Sequence, residues 1–488
     1  MTQAPRLTRS APAARPGIVH LGPGAFFRAF NAVYTEEAMQ AEGGDWGIIA
    51  VSLRSAAARD QMGPQGGVFT SVTLGAGEME PRVIGSVVDV LVAPEDPAAV
   101  IAAMADPAVK VVSLTVTEKG YCHAPATGAL NLGHPDIAHD LAHPDAPRSA
   151  AGFIVAALAA RRASGAAPFT VLSCDNLPSN GALARATVVE FAAQMDADQR
   201  GGDLAEWITQ NVPFPATMVD RITPATTGAD IAKVAEATGR YDPACVLHEG
   251  FRQWVIEDDF AAGRPAWEAA GAQFVASVEA HEVMKLRCLN GTHSTLAYLG
   301  YLAGYETIAE AVADAHFAAL CTHLWQEEII PTLQQPVGED LPAYCRGLMA
   351  RYRDPSIRHR TWQIAMDGSQ KLPQRLLGTI ADNLAMGRKP RGLALAVAGW
   401  MRYVGGVDEA GREIDVCDPL AADLRAASDG AEGSAAKVAA LLAQRAVFDA
   451  DLAANETLRA LLVEAYERLA TKGVKATLRE MAGDMTSG

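Results

Sequence analysis

Several absences narrow the field before any motif is read. The seven cysteines (Cys122, Cys174, Cys245, Cys288, Cys321, Cys345 and Cys417) are odd in number, far apart, and form no C-x-x-C. That excludes the disulfide framework of a small secreted protein and points to reduced thiols in a cytoplasmic one. There is no H-E-x-x-H and no compact Cys/His cluster, so zinc chemistry has no recognisable ligand set. His134, His139 and His143 lie in a stretch rich in proline, glycine and aspartate and read as surface histidines; no metal is expected. No dense basic block exists and the net charge is −16, which argues against a nucleic-acid partner. The most apolar runs, residues 151–160 and 393–400, fall well short of the ~20 residues needed to span a membrane. The first 17 residues carry arginines without an apolar stretch and read as a loose arm rather than a signal peptide.

What is present describes a globular protein: 49% of residues are hydrophobic and only 20% charged. At 488 residues the chain exceeds one typical core, so two domains are expected. A short apolar run, Ile18-Val19-His20-Leu21, feeds Gly22-Pro23-Gly24-Ala25-Phe26 and then a helix-like segment. This matches the opening of a dinucleotide-binding turn, in which glycines let the backbone approach a pyrophosphate; a plain strand–turn–helix is the ordinary alternative, and the glycine pair alone favours it. Phe27 stands where a third glycine is usual. A second apolar run, residues 46–53, follows after about 30 residues, the spacing of a βαβ unit. It ends at Arg54-Ser55 and is followed by Ala56-Ala57-Ala58, without the acidic residue that holds the adenosine ribose. Arg54 and Arg59 would tolerate a 2′-phosphate, so NAD and NADP both stay open. Residues 83–92, 110–117, 169–173 and 217–220 continue the strand series. In open α/β sheets ligands gather beyond the carboxyl ends of strands, which marks Thr117, Asn176 and Asp220.

From about residue 281 the pattern turns helical, over 307–326, 341–353, 393–404, 435–448 and 458–472. The boundary is expected near residues 275–281. The expected fold is therefore α/β: a Rossmann-type N-terminal domain (1–280) with a mostly parallel sheet, then a predominantly α-helical domain (281–488). Just past the boundary comes M-K-L-R-C-L-N-G-T-H-S, which places Lys285, Asn290 and His293 in one helical segment. At about 100° per residue they sit roughly at 0°, 140° and 80° around the axis, on one side. A lysine, an amide and an imidazole so placed suit proton removal from an alcohol, with the lysine as base when burial lowers its pKa. An exposed lysine, a capping asparagine and a core histidine are the ordinary alternative. Farther on, residues 358–375 are unusually polar, and Arg358, Arg360, Lys371 and Arg375 either form a solvated face or pair with a substrate carboxylate. Asp367-Gly368-Ser369 reads as a tight turn.

With I-V-H-L-G-P-G-A-F, V-S-L-T-V-T-E-K-G-Y-C, F-T-V-L-S-C-D-N, M-V-D-R-I-T-P and M-K-L-R-C-L-N-G-T-H-S in hand, the chain resembles the mannitol dehydrogenase family of polyol-specific long-chain dehydrogenases. The resemblance runs from about residue 18 to 478. At residues 251–258 and 359–377 the wording is most similar to the fructuronate-reducing branch. The resemblance implies a metal-independent, nicotinamide-dependent enzyme that interconverts a sugar alcohol or aldonate with its ketose. It implies Lys285 as general acid/base, Asn290 and Asn176 holding the reacting oxygen, and His293 orienting the sugar. Glu282 would relay protons, and Asp220 and Lys371 match the substrate and nicotinamide end. Arg360 and Arg375 are the candidates for a carboxylated substrate. Gly22, Pro23, Gly24, Ala25, Phe26, Arg54 and Thr117 are the candidates for the cofactor, expected to be NAD. Two departures stand out. Relatives carry histidines where this chain has Phe27 and Phe30, and acidic residues where it has Ala56-Ala57. The partner expected is a sugar acid or polyol, with the protein a monomer or weak oligomer. Mannitol/fructose is the alternative substrate pair, and a non-catalytic nucleotide or sugar sensor the alternative class.

Overall fold

The computed structural model describes residues 4–75, 79–124, 127–197 and 202–485. The chain divides into two compact units, Met1–Glu279 and Ala280–Gly488.

In the first unit, eleven strands are formed among the described residues: β1 Pro16–Leu21, β2 Gly47–Ser52, β3 Phe69–Leu74, β4 Met79–Ile84, β5 Val87–Val92, β6 Val111–Leu114, β7 Thr170–Ser173, β8 Thr217–Asp220, β9 Val246–Glu249, β10 Gln253–Glu257 and β11 Gln273–Val275. Five make a sheet in the order β5-β2-β1-β6-β7, every neighbouring pair parallel. Val19 of β1 sits between Ile49 and Val112, and all three apolar types suit a strand covered on both faces. The strand order reverses between β1 and β6, which is the switch point where such sheets open a crevice. Helices Ala150–Ser164 and Pro97–Ala105 cover one face, with Phe153, Ile154, Leu158 and Met104 in its core.

Two smaller sheets complete this unit: β11-β10-β8, and β4-β3-β9. They correct one expectation. Residues 83–92 are not one strand but two, in different sheets. The chain turns at Gly85-Ser86, where the Gly85 N–H donates to Glu36 Oε2 (3.0 Å) and Ser86 Oγ donates to the Ala32 carbonyl (2.8 Å). Pro81 is accommodated on β4 because that strand is an edge with only β3 beside it.

The second unit has helices and no strand among its described residues. Its core gathers Leu296, Leu299, Phe317, Leu320, Trp400, Leu441 and Leu462. Helix Arg391–Tyr403 is buried almost throughout its length, as a run apolar on all sides should be. The single helix expected over residues 307–326 is instead interrupted at Asp314. That residue ends Ile308–Ala313 and caps Ala315–His323, accepting from the His316 N–H at 2.9 Å. An aspartate that competes for backbone donors favours a cap over a helix interior. No helix among the described residues is long and apolar enough to cross a membrane.

Candidate active site

In the first unit, the loop after β1 lines a cavity of about 390 Å³ together with Arg54, Ser55, Thr115, Arg148 and Ser149. Gly22 has φ +92°, and a Cβ there would lie 2.4 Å from the Thr115 carbonyl oxygen. Only glycine fits this bend. A Cβ on Gly24 would meet only the Gly22 carbonyl oxygen, at 4.0 Å, so a ligand can approach its backbone. Of the residues expected to bind a cofactor, Gly22, Pro23, Gly24 and Arg54 line this cavity. Ala25, Phe26 and Thr117 lie outside its lining. Strand β6 ends at Leu114, and Thr117 starts a one-turn helix at φ +64° with its N–H donating to Asp175 Oδ1 (2.8 Å). The strand expected over residues 110–117 thus stops short of Thr117, and the turn after β6 is pinned to Asp175 in the turn after β7.

Beneath the loop, His20 is fully buried. Its Nδ1 and Nε2 meet Ser113 Oγ and Thr115 Oγ1, both at 2.8 Å, and its ring stacks on Phe27 at 3.8 Å. Burial pushes its pKa down to about 3, so it is a neutral strut between β1 and β6. Phe30 packs against Phe26, Tyr34 and Trp254. The two phenylalanines that depart from the family pattern are thus fully buried core residues.

At the end of β7 the buried group is Asp175, next to the exposed Asn176. Its carboxylate accepts from the Val116 and Thr117 N–H groups (3.1 and 2.8 Å) and from Tyr121 Oη (2.8 Å). Burial raises its pKa, against the lowering effect of these three donors. The Asn180 amide donates to the carbonyls of Asp175 and Thr217, each at 2.9 Å, and so ties this turn to β8. Asp220, at the end of β8, is buried. Neither Asp175 nor Asn180 was singled out from the sequence. The signal present was only that they flank Asn176.

In the second unit the key segment departs from the helix assumed. Glu279–Met284 is α-helical, Lys285–Gly291 is a π-helix, and Thr292–Leu302 returns to α. Bonding from i to i+5 widens the turn, which brings Asn290, five residues on, more nearly in line with Lys285 than a 100° step allows. Side chains hold the wide turn: Trp325 Nε1 donates to the Cys288 carbonyl (2.9 Å), as does Thr292 Oγ1 (2.5 Å), and Tyr352 Oη donates to that of Leu289 (2.9 Å). Lys285 is only 7% exposed, not a solvated lysine. Glu282 is half-buried one turn earlier.

His293 stacks on Tyr352 at 5.5 Å, and its Nε2 lies 3.3 Å from His359 Nδ1. Burial, and then the charges of His359, Arg375, Arg351 and Lys371, push its pKa well below the usual range. His359 is likewise lowered to about 4, first by burial. Both imidazoles are therefore neutral at pH 7. Arg375 donates to Ser294 Oγ at 3.0 Å. Lys371 donates to the Met366 carbonyl at 2.6 Å, and burial, then Arg375, lowers its pKa. Arg360 stands apart: it is 3.7 Å from Glu306 and lines another concavity with Trp362, Asp408 and Arg412. Asp367, expected in a tight turn, has φ +54° and caps the short helix Gly368–Leu372.

The histidines of residues 134–143 also need correction. His134 and His139 are half-buried, and only His143 is exposed. One ligand atom each from Cys122, His134 and Asp136 falls within 4.8 Å of the others, a grouping that sequence spacing hid. The donors are already engaged: Arg54 Nη2 lies 2.7 Å from Asp136 Oδ2, and His134 Nδ1 accepts the Asp136 N–H at 3.2 Å. Burial also raises the Cys122 thiol to about 11.

The mannitol dehydrogenase Rossmann domain matches residues 16–269 and the mannitol dehydrogenase C-terminal domain residues 277–470. The chain is 48% identical over 462 residues to the D-mannonate oxidoreductase of Escherichia coli K12, covering 94% of each chain. It is also 48% identical over 465 residues to YdfI, an uncharacterized oxidoreductase of the same bacterium, covering 95% of this chain and 94% of that one. Among solved structures, the Pseudomonas fluorescens mannitol 2-dehydrogenase ternary complex with NAD and D-mannitol shares 38% identity at a TM-score of 0.81, covering 99% of this chain and 97% of that one. Together these findings establish that the chain belongs to the mannitol dehydrogenase family.

Proposed function

We propose that this oxidoreductase reversibly reduces D-fructuronate to D-mannonate with NAD as its cofactor and Lys285 as the proton-transfer group. The nicotinamide, when bound, supplies or accepts the hydride. Gly22, Pro23 and Gly24 fit its pyrophosphate, because the bend at Gly22 excludes a side chain and the cavity leaves the Gly24 backbone open.

Lys285 gives a proton to the carbonyl oxygen in reduction and takes one from the carbinol in oxidation. Asn290 donates an N–H group to that oxygen as negative charge develops on it. Neutral His293 bonds a neighbouring hydroxyl, with His359 fixing its ring, while Glu282 carries protons to and from the lysine. Lys371 holds the sugar. Arg375 is a better partner for a substrate carboxylate than Arg360, since it is half-buried beside Ser294 whereas the Arg360 side chain is 60% exposed. The observation that carries the reading is a buried lysine on a π-turn shared with Asn290.

The 48% identity to a D-mannonate oxidoreductase supports the sugar-acid substrate. The likeness to a mannitol 2-dehydrogenase bound to D-mannitol favours the mannitol/fructose pair as the second reading. Absorbance assays with NADH and NADPH against fructuronate, tagaturonate and fructose separate them. Turnover of fructose alone would overturn the sugar-acid assignment. We also propose a cytoplasmic monomer or weak oligomer, to be checked by size-exclusion chromatography over a range of concentrations.

A further inference from the structure

We propose that Asp136 sets the choice between NAD and NADP by holding the Arg54 guanidinium away from the adenosine 2′ position. The inference rests on the nicotinamide reading above. Residues 52–58, Ser-Leu-Arg-Ser-Ala-Ala-Ala, follow β2, where such folds meet the adenosine ribose. That stretch has no carboxylate to accept ribose hydroxyls or repel a phosphate. Three arginines, Arg28, Arg54 and Arg148, line the same cavity; Arg28 is buried and donates to the Pro23 carbonyl, while Arg59 is turned to Asp60 and Glu95. By these charges alone the cavity would prefer a 2′-phosphate, since arginine matches phosphate in bidentate fashion.

The offsetting group comes from a distant part of the chain. Asp136, in the first turn of helix Pro135–Ala142, places Oδ2 2.7 Å from Arg54 Nη2. Its side chain is 13% exposed whereas that of Arg54 is 66% exposed, so the acid is the anchored partner and the arginine the tethered one. A 2′-phosphate at Arg54 must either break this pair or sit beside the Asp136 carboxylate. Either course costs free energy that NAD, with a hydroxyl there, does not incur.

The test is calorimetric binding of adenosine 2′,5′-bisphosphate and of 5′-AMP, which needs no turnover. Asp136→Asn keeps the side-chain shape and the backbone bond to His134. It should tighten the bisphosphate by about tenfold or more, with 5′-AMP within about twofold. The ratio of kcat/KM for NADP over NAD should rise in parallel, and adding Arg54→Gln should erase the gain. In a D136N protein with a native circular dichroism spectrum, an unchanged ratio overturns the proposal, as does a gain that survives loss of Arg54. Should D136N misfold, Arg54→Gln alone decides: it should weaken the bisphosphate by no more than about twofold, and a loss of about tenfold would mean that Arg54 already serves the phosphate. Failure of the wild type to bind either nucleotide would instead overturn the nicotinamide reading itself.

Discussion

Burying a lysine costs free energy that a surface position avoids, so a side chain 7% exposed at residue 285 asks for a use. If that use is proton transfer, Lys285→Ala lowers turnover by about 10²–10⁴-fold while calorimetric NADH binding stays near wild type. Near-normal turnover would remove the lysine from the mechanism. At the substrate end, Arg375→Ala should raise KM for fructuronate far more than for fructose, and Arg360→Ala should affect neither strongly. Equal losses on both substrates for Arg375→Ala would count against the carboxylate contact. The histidines make a stability prediction. In the unfolded chain imidazoles take up protons below about pH 6.5, while buried His20 stays neutral down to about 3 and His248 to about 4, burial being the first cause in each. The unfolded state thus binds more protons across that window, so stability falls as pH drops from about 6.5 toward 4, by roughly 1.4 kcal/mol per pH unit for His20. Urea midpoints at pH 7 and pH 5 check this, and His20→Asn should flatten the slope. Motifs single out Gly22, Lys285 and His293 as candidates, and the structure shows the positive φ of the first and the burial of the second. Asp175, Asn180 and His359 carry no such mark, because each bonds to a partner that only folding brings near: Val116, Thr217 and His293.

Among the elements, the π-turn at Lys285–Gly291 shows most clearly what periodicity misses. Helical spacing marks the segment and its apolar anchors, Leu286, Leu289, Leu296 and Leu299, of which the last three are buried and Leu286 is half-buried. The widened turn left no local trace, since Thr292, Trp325 and Tyr352 hold it and two of these lie on other helices. The same limit hid the break at Gly85-Ser86, where Glu36 and Ala32 redirect the chain. The π-turn also presses close to its neighbour: a Cβ on Gly291 would lie 2.8 Å from the Arg375 carbonyl oxygen. Alanine normally gains about 1 kcal/mol over glycine in a helix. Here a backbone atom must move, and overpacking of this kind costs about 1–3 kcal/mol. Gly291→Ala is therefore expected to lower the urea midpoint and to cut turnover, because Asn290 and Arg375 flank the strained contact. A more stable, fully active variant would show that the two segments separate easily.

For the whole molecule, composition and the order of elements were the most readable features. A chain of mostly parallel strands alternating with helices, then helices alone, follows from periodicity because each unit buries its own apolar set, Ile18 to Ala272 in one and Met284 to Leu478 in the other. The cysteine inventory turns this into a count. All seven thiols are free; Cys122, Cys174, Cys245, Cys288, Cys321 and Cys345 are buried and Cys417 is exposed. Thiolate is the reactive form, and burial pushes Cys122 to about 11 and Cys245 and Cys321 to about 12. Cys288 is raised as well, first by its hydrogen bond with the Cys345 thiol and then by burial. Burial protects these six, so a chromogenic disulfide reagent at pH 8 should titrate one thiol quickly in the native protein and all seven in guanidinium chloride. Two or more fast native thiols would mean that one of the cores opens on the timescale of the reagent. Fewer than seven after unfolding in the absence of reductant would mean that a disulfide had formed, against the reduced state that the spacing of the cysteines implies.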